Sequence, residues 1–455
     1  MSVLWTHKDA ARATGGRAVG NWYVNGLSID TRSLGVGDLY VPLKDIRDGH
    51  EFIPMAYEKG AGAVISEREI EDVPALIVSD SLTALEALAV AARERSGATR
   101  IAVTGSVGKT SVKEMIAHIC RAAGKTHNSV KSFNNHWGVP LTLAGMPQET
   151  QYGVFEMGMN HAGELLALTD IVRPDITIIT KIAAAHLEHF KDVEAIAKAK
   201  AEIFKGMKTG GIVILNADDE FFKYLSNRAN EQGLDIVSVG TGAANVRISN
   251  SKPRGHGLET KISGADFNLG LHLQNSGDHH ALNAGFALAS ASILGIDLPI
   301  AVKALEALKP LAGRGARFET VLGAHGVIII DESYNANPTS MRAALAAFGG
   351  LEEPCYKIAV LGGMGELGAD EIALNTSMIE PILEHGIDKV ITVGSLMRGL
   401  CEALPEPKRG AWVARVEDVI PVLTKEIKPN SAVLLKASNA IGFGGVVTQL
   451  KRKNT

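Results

Sequence analysis

Along most of the 455-residue chain, short unbroken apolar runs alternate with segments whose apolar positions recur every three to four residues. Unbroken runs bounded by turn residues mark strands buried on both faces, and the helical period between them marks the helices that cover those faces. The alternation predicts an α/β fold with parallel sheets. Three blocks emerge. Residues 1–95 hold the strand signals "DLYVPL" and "GAGAVISE" with a modest helical segment between them. Residues 96–312 open on a glycine-rich turn and continue through strand-like "YGVFEMG", "DITIITKI" and "GIVILNADD". Residues 313–455 restart the pattern with "HGVIIIDESYN", "YKIAVLGGM", "DKVITVG" and "SAVLLKAS", separated by helical segments, as in a doubly wound sheet.

The turn that opens the second block carries chemistry. In "IAVTGSVGKTSVKEM", residues 101–104 read as a buried strand and Gly105, Ser106, Val107 and Gly108 as the turn. Lys109, Thr110 and Ser111 then open a helix whose apolar face is Val112, Met115, Ile116, Ile119 and Cys120. Glycines let backbone N–H groups close around phosphate oxygens, and the helix N-terminus adds partial positive charge. Lys109 would reach terminal phosphates, and either Thr110 or Ser111 would offer a hydroxyl to Mg²⁺. Only two residues separate Gly105 from the Gly-Lys pair, where the usual phosphate loop has four.

Further candidates follow at the ends of later strands. Glu156 closes "YGVFEMG", at the carboxyl end where ligands of parallel sheets bind. It reads either as a solvated strand-end acid or as a Mg²⁺ ligand. His186 and His189 follow "DITIITKI", and the position just beyond a strand favours His186 as a functional group. In "VEAIAKAKAEIFKGMK", a helix puts Ile196, Lys200, Ile203 and Met207 on one face, with Lys198 and Lys205 opposite. Lys200 therefore stands in an apolar stripe. Its ammonium either snorkels from the edge, pairs with a carboxylate, or is modified into an anion.

Composition narrows the class. A net charge of −4 without a long basic tract gives no support to non-specific nucleic-acid binding, and no nucleic-acid partner is expected. Three widely spaced cysteines suit a reducing cytosol and make neither a disulfide frame nor a CxxC metal site. With no apolar signal core and no run of membrane-spanning length, the expectation is a cytoplasmic protein without membrane insertion, and a monomer.

Taken together, "VTGSVGKTS", "SFNNHWGVPLTL", "FEMGMNHAGEL", "AAAHLEHF", "AIAKAKAEIF", "DHHALNAGFALA", "GRGARFE", "DESYNANPTSMRAAL", "LGGMGELG" and "LLKAS" resemble the Mur ligases, ATP-dependent amino-acid or peptide ligases of cell-wall precursor synthesis. The family's TGxxGK[TS] loop accounts for the shortened spacing. The resemblance implies three domains. These are a small N-terminal α/β domain (1–95) that binds a UDP-sugar, a central P-loop-type ATPase domain (96–312) with a mostly parallel sheet, and a C-terminal Rossmann-like doubly wound domain (313–455).

It also implies roles for matching positions. Gly105, Ser106, Val107, Gly108, Lys109, Thr110, Ser111 and Asn283 would meet ATP, together with Asp331, Tyr334 and Asn335 and with Arg314 or Arg317, between which "GRGAR" does not choose. Thr110, Glu156 and His186 match metal positions, and Lys200 matches the family's carbamylated lysine, whose carbamate would take a second Mg²⁺. Lys109, His186 and Lys200 would be the catalytic set. Ser28, Thr31, Arg32, Asp48, Gly49 and His50, with Asn134 and Asn135, match substrate-binding positions. The strings "DESYNANPTSM" and "LGGMGELG" most resemble members that join D-alanyl-D-alanine to UDP-N-acetylmuramoyl-tripeptide through an acyl phosphate. Three alternatives differ in stated ways. Ligases that add the third amino acid carry a DNPR motif absent here, folylpolyglutamate synthases need no UDP-sugar segment, and a nucleotide switch leaves Lys200 unexplained.

Overall fold

A computed structural model of the protein describes residues 3–70, 73–185, 187–351 and 355–452. Every strand signal singled out above forms a strand, and they assemble into three separate main sheets. The N-terminal sheet has five strands in the order Arg17–Val19, Ala75–Ile77, Ala63–Ser66, Asp38–Tyr40 and Gly26–Ser28, parallel except at the first pairing.

The central sheet has nine strands. Third from one edge, Thr99–Thr104 lies between Tyr152–Glu156 and Ile176–Ile179, parallel to both. Ile101, Ala102 and Val103 have no exposed surface, as an apolar run covered by helices on both faces should. The chain leaves Thr99–Thr104 to build the sheet on one side and returns to extend it on the other. That reversal opens a crevice at the carboxyl end of this strand, the usual ligand position in an open α/β sheet.

Beyond Asp235–Gly240 the sheet ends in an antiparallel ribbon of Val246–Arg254, Gly257–Ser263 and Asn268–Leu273 that the sequence reading did not single out. Its strands alternate buried and exposed positions, so they carry no unbroken apolar run. The C-terminal sheet runs Ala316–Leu322, His325–Glu332, Ser431–Lys436, Tyr356–Gly362, Lys389–Val393 and Arg409–Val413, parallel after an opening hairpin. Its two edge strands also lack the apolar runs of the four interior ones.

One core cluster runs unbroken from Leu4 and Trp5 to Leu234, joining the N-terminal sheet to one face of the central sheet. Trp5 Nε1 donates to the Ala144 carbonyl at 2.9 Å, and the Arg95 guanidinium lies 3.8 Å from the Trp5 ring centroid. Among the described residues no helix is long and apolar enough to cross a membrane.

At the junction of the central and C-terminal sheets, His279 stands in the first turn of the helix Asp278–Ile293, its ring 4.1 Å from that of His280. Burial, reinforced by the charge of Lys436 and opposed by Asp278, lowers the His279 pKa to about 4. Burial and the His279 charge push His280 well below its ordinary value. Both imidazoles are therefore neutral at pH 7, and folding opposes their protonation. For His279 this contribution is complete above its ordinary value of 6.5 and is lost as pH falls toward about 4. The urea midpoint should accordingly fall across that window. In NMR the His279 ring should titrate near 4, and His279→Gln should remove its share of the slope. A His279 midpoint near 6.5 would contradict this account.

Candidate functional site

The glycine turn is clamped by hydrogen bonds to residues 180–183. Gly105 has φ 146°, and a Cβ there would lie 2.0 Å from Thr180 Oγ1, so only glycine permits this approach. Ser106 N–H donates to the Lys181 carbonyl at 2.7 Å, and its hydroxyl donates to the Ala183 carbonyl at 2.9 Å. The Thr180 hydroxyl donates to the Val107 carbonyl at 2.6 Å. Gly108, at φ 85°, starts the helix Lys109–Ala123 without a side-chain cap, which leaves its first amides open to an anion. Lys109 curls back, Nζ donating to the Gly105 carbonyl at 2.7 Å. Desolvation lowers its pKa, Glu156 opposes that shift, and the Arg314 charge adds to it.

Glu156 is 1% exposed and gathers the site around its carboxylate. Oε2 accepts from the Thr110 hydroxyl and Oε1 from Asn134 Nδ2, both at 2.8 Å. Its backbone N–H donates to Ser129 Oγ at 3.2 Å. From the C-terminal unit, Arg314 Nη2 donates to Thr110 Oγ1 at 2.9 Å while its guanidinium stacks 4.1 Å from the Tyr334 ring centroid. The Tyr334 hydroxyl in turn bonds Ser132 of the central unit. Of the two arginines in "GRGAR", Arg314 is the one that reaches the glycine turn. Arg317 lies on Ala316–Leu322, paired with Ile330, beside a cavity lined by Glu332 and Phe348. Likewise Thr110, not its neighbour Ser111, meets Glu156.

A hydroxyl and a carboxylate are the oxygen donors Mg²⁺ prefers, and that ion ordinarily completes its shell with water and substrate phosphates. No group of three or more His, Cys, Asp and Glu gathers among the described residues, so the protein offers a partial shell. Thr110 and Glu156 fit that pattern. His186 lies outside the described residues.

Lys200, on the helix Val193–Ala201, is 2% exposed beside Ile196 and Ile203. No acid pairs with it among the described residues. Burial drives its pKa well below the ordinary lysine value, and the Lys109 charge acts in the same direction. Lys198 is exposed and pairs with Glu194 at 2.8 Å. One part of the expected stripe differs. The α-helix ends at Ala201, residues Glu202–Gly206 form a 3₁₀ turn, and Met207 is extended. The tighter 3₁₀ turn breaks the 3.6 period before Met207 is reached.

Other candidates divide into supporters and a second locus. Asn283, 6% exposed, puts Oδ1 3.1 Å from where a Gly108 Cβ would stand. Asp331 braces the turn that carries Arg314, accepting Gly313 N–H at 2.9 Å and the Ser333 hydroxyl at 2.5 Å. The Asn335 carbonyl accepts from Lys436 Nζ at 3.0 Å. Asn135 receives the Gly138 N–H at 2.9 Å and thereby caps the next helix.

Ser28, Thr31, Arg32, Asp48, Gly49 and His50 bond within the N-terminal unit. Ser28 donates to the Asp30 carbonyl, Thr31 to Met55 Sδ, and Arg32 pairs with Asp30 at 2.7 Å. Asp48 accepts from His50 Nδ1 at 2.7 Å, and Tyr40 donates to the Gly49 carbonyl at 3.0 Å. They form a locus distinct from the Glu156 cluster. Ser132 and Lys113 are contributors that the sequence reading passed over. Lys113 had a readable signal, standing in the same apolar helical stripe as Ile116, Ala117 and Cys120.

Two family models match the chain: the Mur ligase middle domain over residues 103–291, and the Mur ligase, glutamate ligase domain over residues 316–439. The chain is 34% identical over 436 residues to the UDP-N-acetylmuramoyl-tripeptide–D-alanyl-D-alanine ligase of Bacillus subtilis, covering 94% of this chain and 93% of that one. Identity to the Escherichia coli protein of the same name is 34% over 434 residues, 95% of each. In three dimensions it is similar to MurF from Acinetobacter baumannii, with a TM-score of 0.86, 28% identity and 99% of both chains covered. Alike in sequence across nearly their whole length, and alike in fold, to these ligases, the chain belongs to the Mur ligase family.

Proposed function

We propose that this chain joins D-alanyl-D-alanine to UDP-N-acetylmuramoyl-tripeptide at the expense of ATP, giving the pentapeptide precursor of peptidoglycan. The observation that carries the reading is Arg314 of the C-terminal unit hydrogen-bonded to Thr110 at the mouth of the glycine turn. Two units thus bring a cation each, Lys109 and Arg314, to the start of one helix, in a chain one-third identical to ligases of this name.

The chemistry follows from the reactants. A carboxylate is a poor electrophile because its leaving group would be oxide. One oxygen of the tripeptide's terminal carboxylate attacks the γ-phosphorus of ATP, and ADP leaves. The dipeptide amine then attacks the acyl carbon, phosphate departs with that oxygen, and the amine loses a proton. In the first step the protein's task is positioning and charge neutralisation. The open amides of the helix Lys109–Ala123 hold phosphate oxygens, and Lys109 leaves the Gly105 carbonyl to reach them. Arg314, backed by Tyr334, neutralises charge from the other side. Thr110 and Glu156 would hold Mg²⁺, which when bound would screen the phosphates. Closure of the C-terminal unit keeps water from the acyl phosphate.

Lys200 has a further role in this reading. A neutral amine adds to CO₂ where an ammonium does not, and Lys200 is driven toward neutrality. The carbamate, formed as the amine binds CO₂ and gives up a proton, would offer its two oxygens to a second Mg²⁺ and would replace the mutual repulsion of Lys200 and Lys109 with attraction. The units that perform these tasks are residues 1–95 for the UDP-sugar, 96–312 for ATP and 313–455 for closure and the incoming dipeptide. Ser28, Thr31, Arg32 and residues 48–50 form the UDP-sugar locus.

Phosphate release by the purified enzyme with ATP and Mg²⁺ should require both substrates and match amide formed. Release indifferent to both would remove the ligase reading. Lys109→Ala and Arg314→Ala should each lower kcat by roughly 10²–10³-fold, on the scale of losing one preorganised charge contact, with Arg317→Ala nearer wild type. Equal losses for the two arginines would contradict the assignment. Lys200→Ala should be severely impaired and regain part of its activity with added formate or acetate. A fully active Lys200→Ala enzyme would sink the carbamate role.

A further inference from the structure

A second buried lysine stands one helical turn beyond Lys109. The Lys113 side chain has no exposed surface, and its ammonium is fully subscribed. Nζ donates to the Glu114 carboxylate, to the Ser129 carbonyl at 2.8 Å and to the Lys131 carbonyl at 2.9 Å. Three N–H groups meet three acceptors, the condition under which burying an ammonium is tolerable. Two of those acceptors belong to one short stretch of backbone. Within it Lys131 takes the left-handed conformation at φ 50°, unfavourable for a residue with a side chain, so the stretch needs an external hold.

That stretch leads directly into the site. The Ser129 hydroxyl accepts the Glu156 N–H, Ser132 meets Tyr334, and Asn134 Nδ2 donates to Glu156 Oε1. Beyond it the Asn134 carbonyl accepts the Gly158 N–H at 2.7 Å. Residues 129–134 are thus pinned at one end by Lys113 and at the other by Gly158, and between the pins they present Ser132 and Asn134.

We propose that Lys113 is a positioning residue for the ligation. It locks residues 129–134 to the helix that begins at Lys109, so that Thr110, Asn134 and Glu156 keep one geometry and Ser132 is held for Tyr334. The proposal rests on the ligase reading of the Glu156 site. Lys113 touches no reacting atom and acts through Asn134 and Ser132.

The test has two arms on the full-length enzyme. In the first, native-state hydrogen exchange compares wild type with Lys113→Met, which keeps the bulk and removes the charge. The Phe133 and Gly158 amides, bonded to Val130 and Asn134, should exchange at least roughly tenfold faster, while mid-helix amides such as Ile119 stay unchanged. In the second, kcat is measured for Lys113→Met, Asn134→Ala and the double variant. Lys113→Met should lose roughly tenfold, the scale of a charge-assisted hydrogen bond, and the double variant should be no worse than the poorer single one. Wild-type exchange at Phe133 and Gly158, or losses that multiply, would overturn the proposal, because a merely packing role predicts independence. Should Lys113→Met not fold, Glu114→Gln takes its place in both arms, and silence or multiplicative losses there overturn it equally. A wild-type enzyme that makes no amide would instead overturn the ligase reading, a distinct outcome since the exchange arm needs no substrate.

Discussion

The structure turns on a charge imbalance around one buried carboxylate. Lys109 and Arg314 gather beside Glu156, whose charge opposes the shift of Lys109, while Lys200 feels the Lys109 charge and meets no acid among the described residues. The consequences are visible in the lysines: burial lowers both pKa values, and the Lys109 charge adds to the effect on Lys200. A protein that only needed to be stable would replace such a cluster with apolar side chains. Retaining it makes sense where the missing negative charge is supplied from outside, as by the phosphates of a nucleotide.

The fold delivers these groups from the carboxyl ends of central parallel strands, from the helix Val193–Ala201 that carries Lys200, and from the next sheet. Thr99–Thr104 ends at the glycine turn and Tyr152–Glu156 ends at the acid itself. Ile176–Ile179 leads to Thr180, whose hydroxyl shapes the turn so closely that Gly105 has no room for a side chain. Arg314 arrives through a different device. Gly313 and Gly315, both at positive φ, fold the chain sharply before the C-terminal sheet begins, and Asp331 fixes that bend through the Gly313 amide. Arg317, three residues on, lies in the strand Ala316–Leu322 beside the cavity lined by Glu332 and Phe348.

This difference marks the boundary of what the amino-acid order discloses. Strands buried on both faces and the helix behind the glycine turn are legible because their pattern is local and unbroken. The ribbon at 246–273 escapes because half its positions face solvent. Which arginine of "GRGAR" points inward depends on two glycine dihedrals, which no spacing rule reports. The second locus at Ser28 and residues 48–50 is intelligible only through resemblance, since its polar groups bond one another and their pattern is that of ordinary turns. Asn134 is a milder case: matched to substrate by resemblance, it hydrogen-bonds the Glu156 carboxylate.

Lys113 and Lys200 show how the remaining ambiguity is resolved. In sequence they pose one problem, a lysine on the apolar stripe of a helix, and burial is as complete for one as for the other. Their surroundings separate them. Lys113 finds a carboxylate and two carbonyls, so its charge is answered within the protein and its work is to hold backbone in place. Lys200 finds no acid among the described residues and a second lysine charge nearby, so its amine is pressed toward the neutral, nucleophilic form. Satisfied buried charge builds geometry, and unsatisfied buried charge invites chemistry. A hydrogen-bond inventory of each buried lysine therefore discriminates where periodicity cannot.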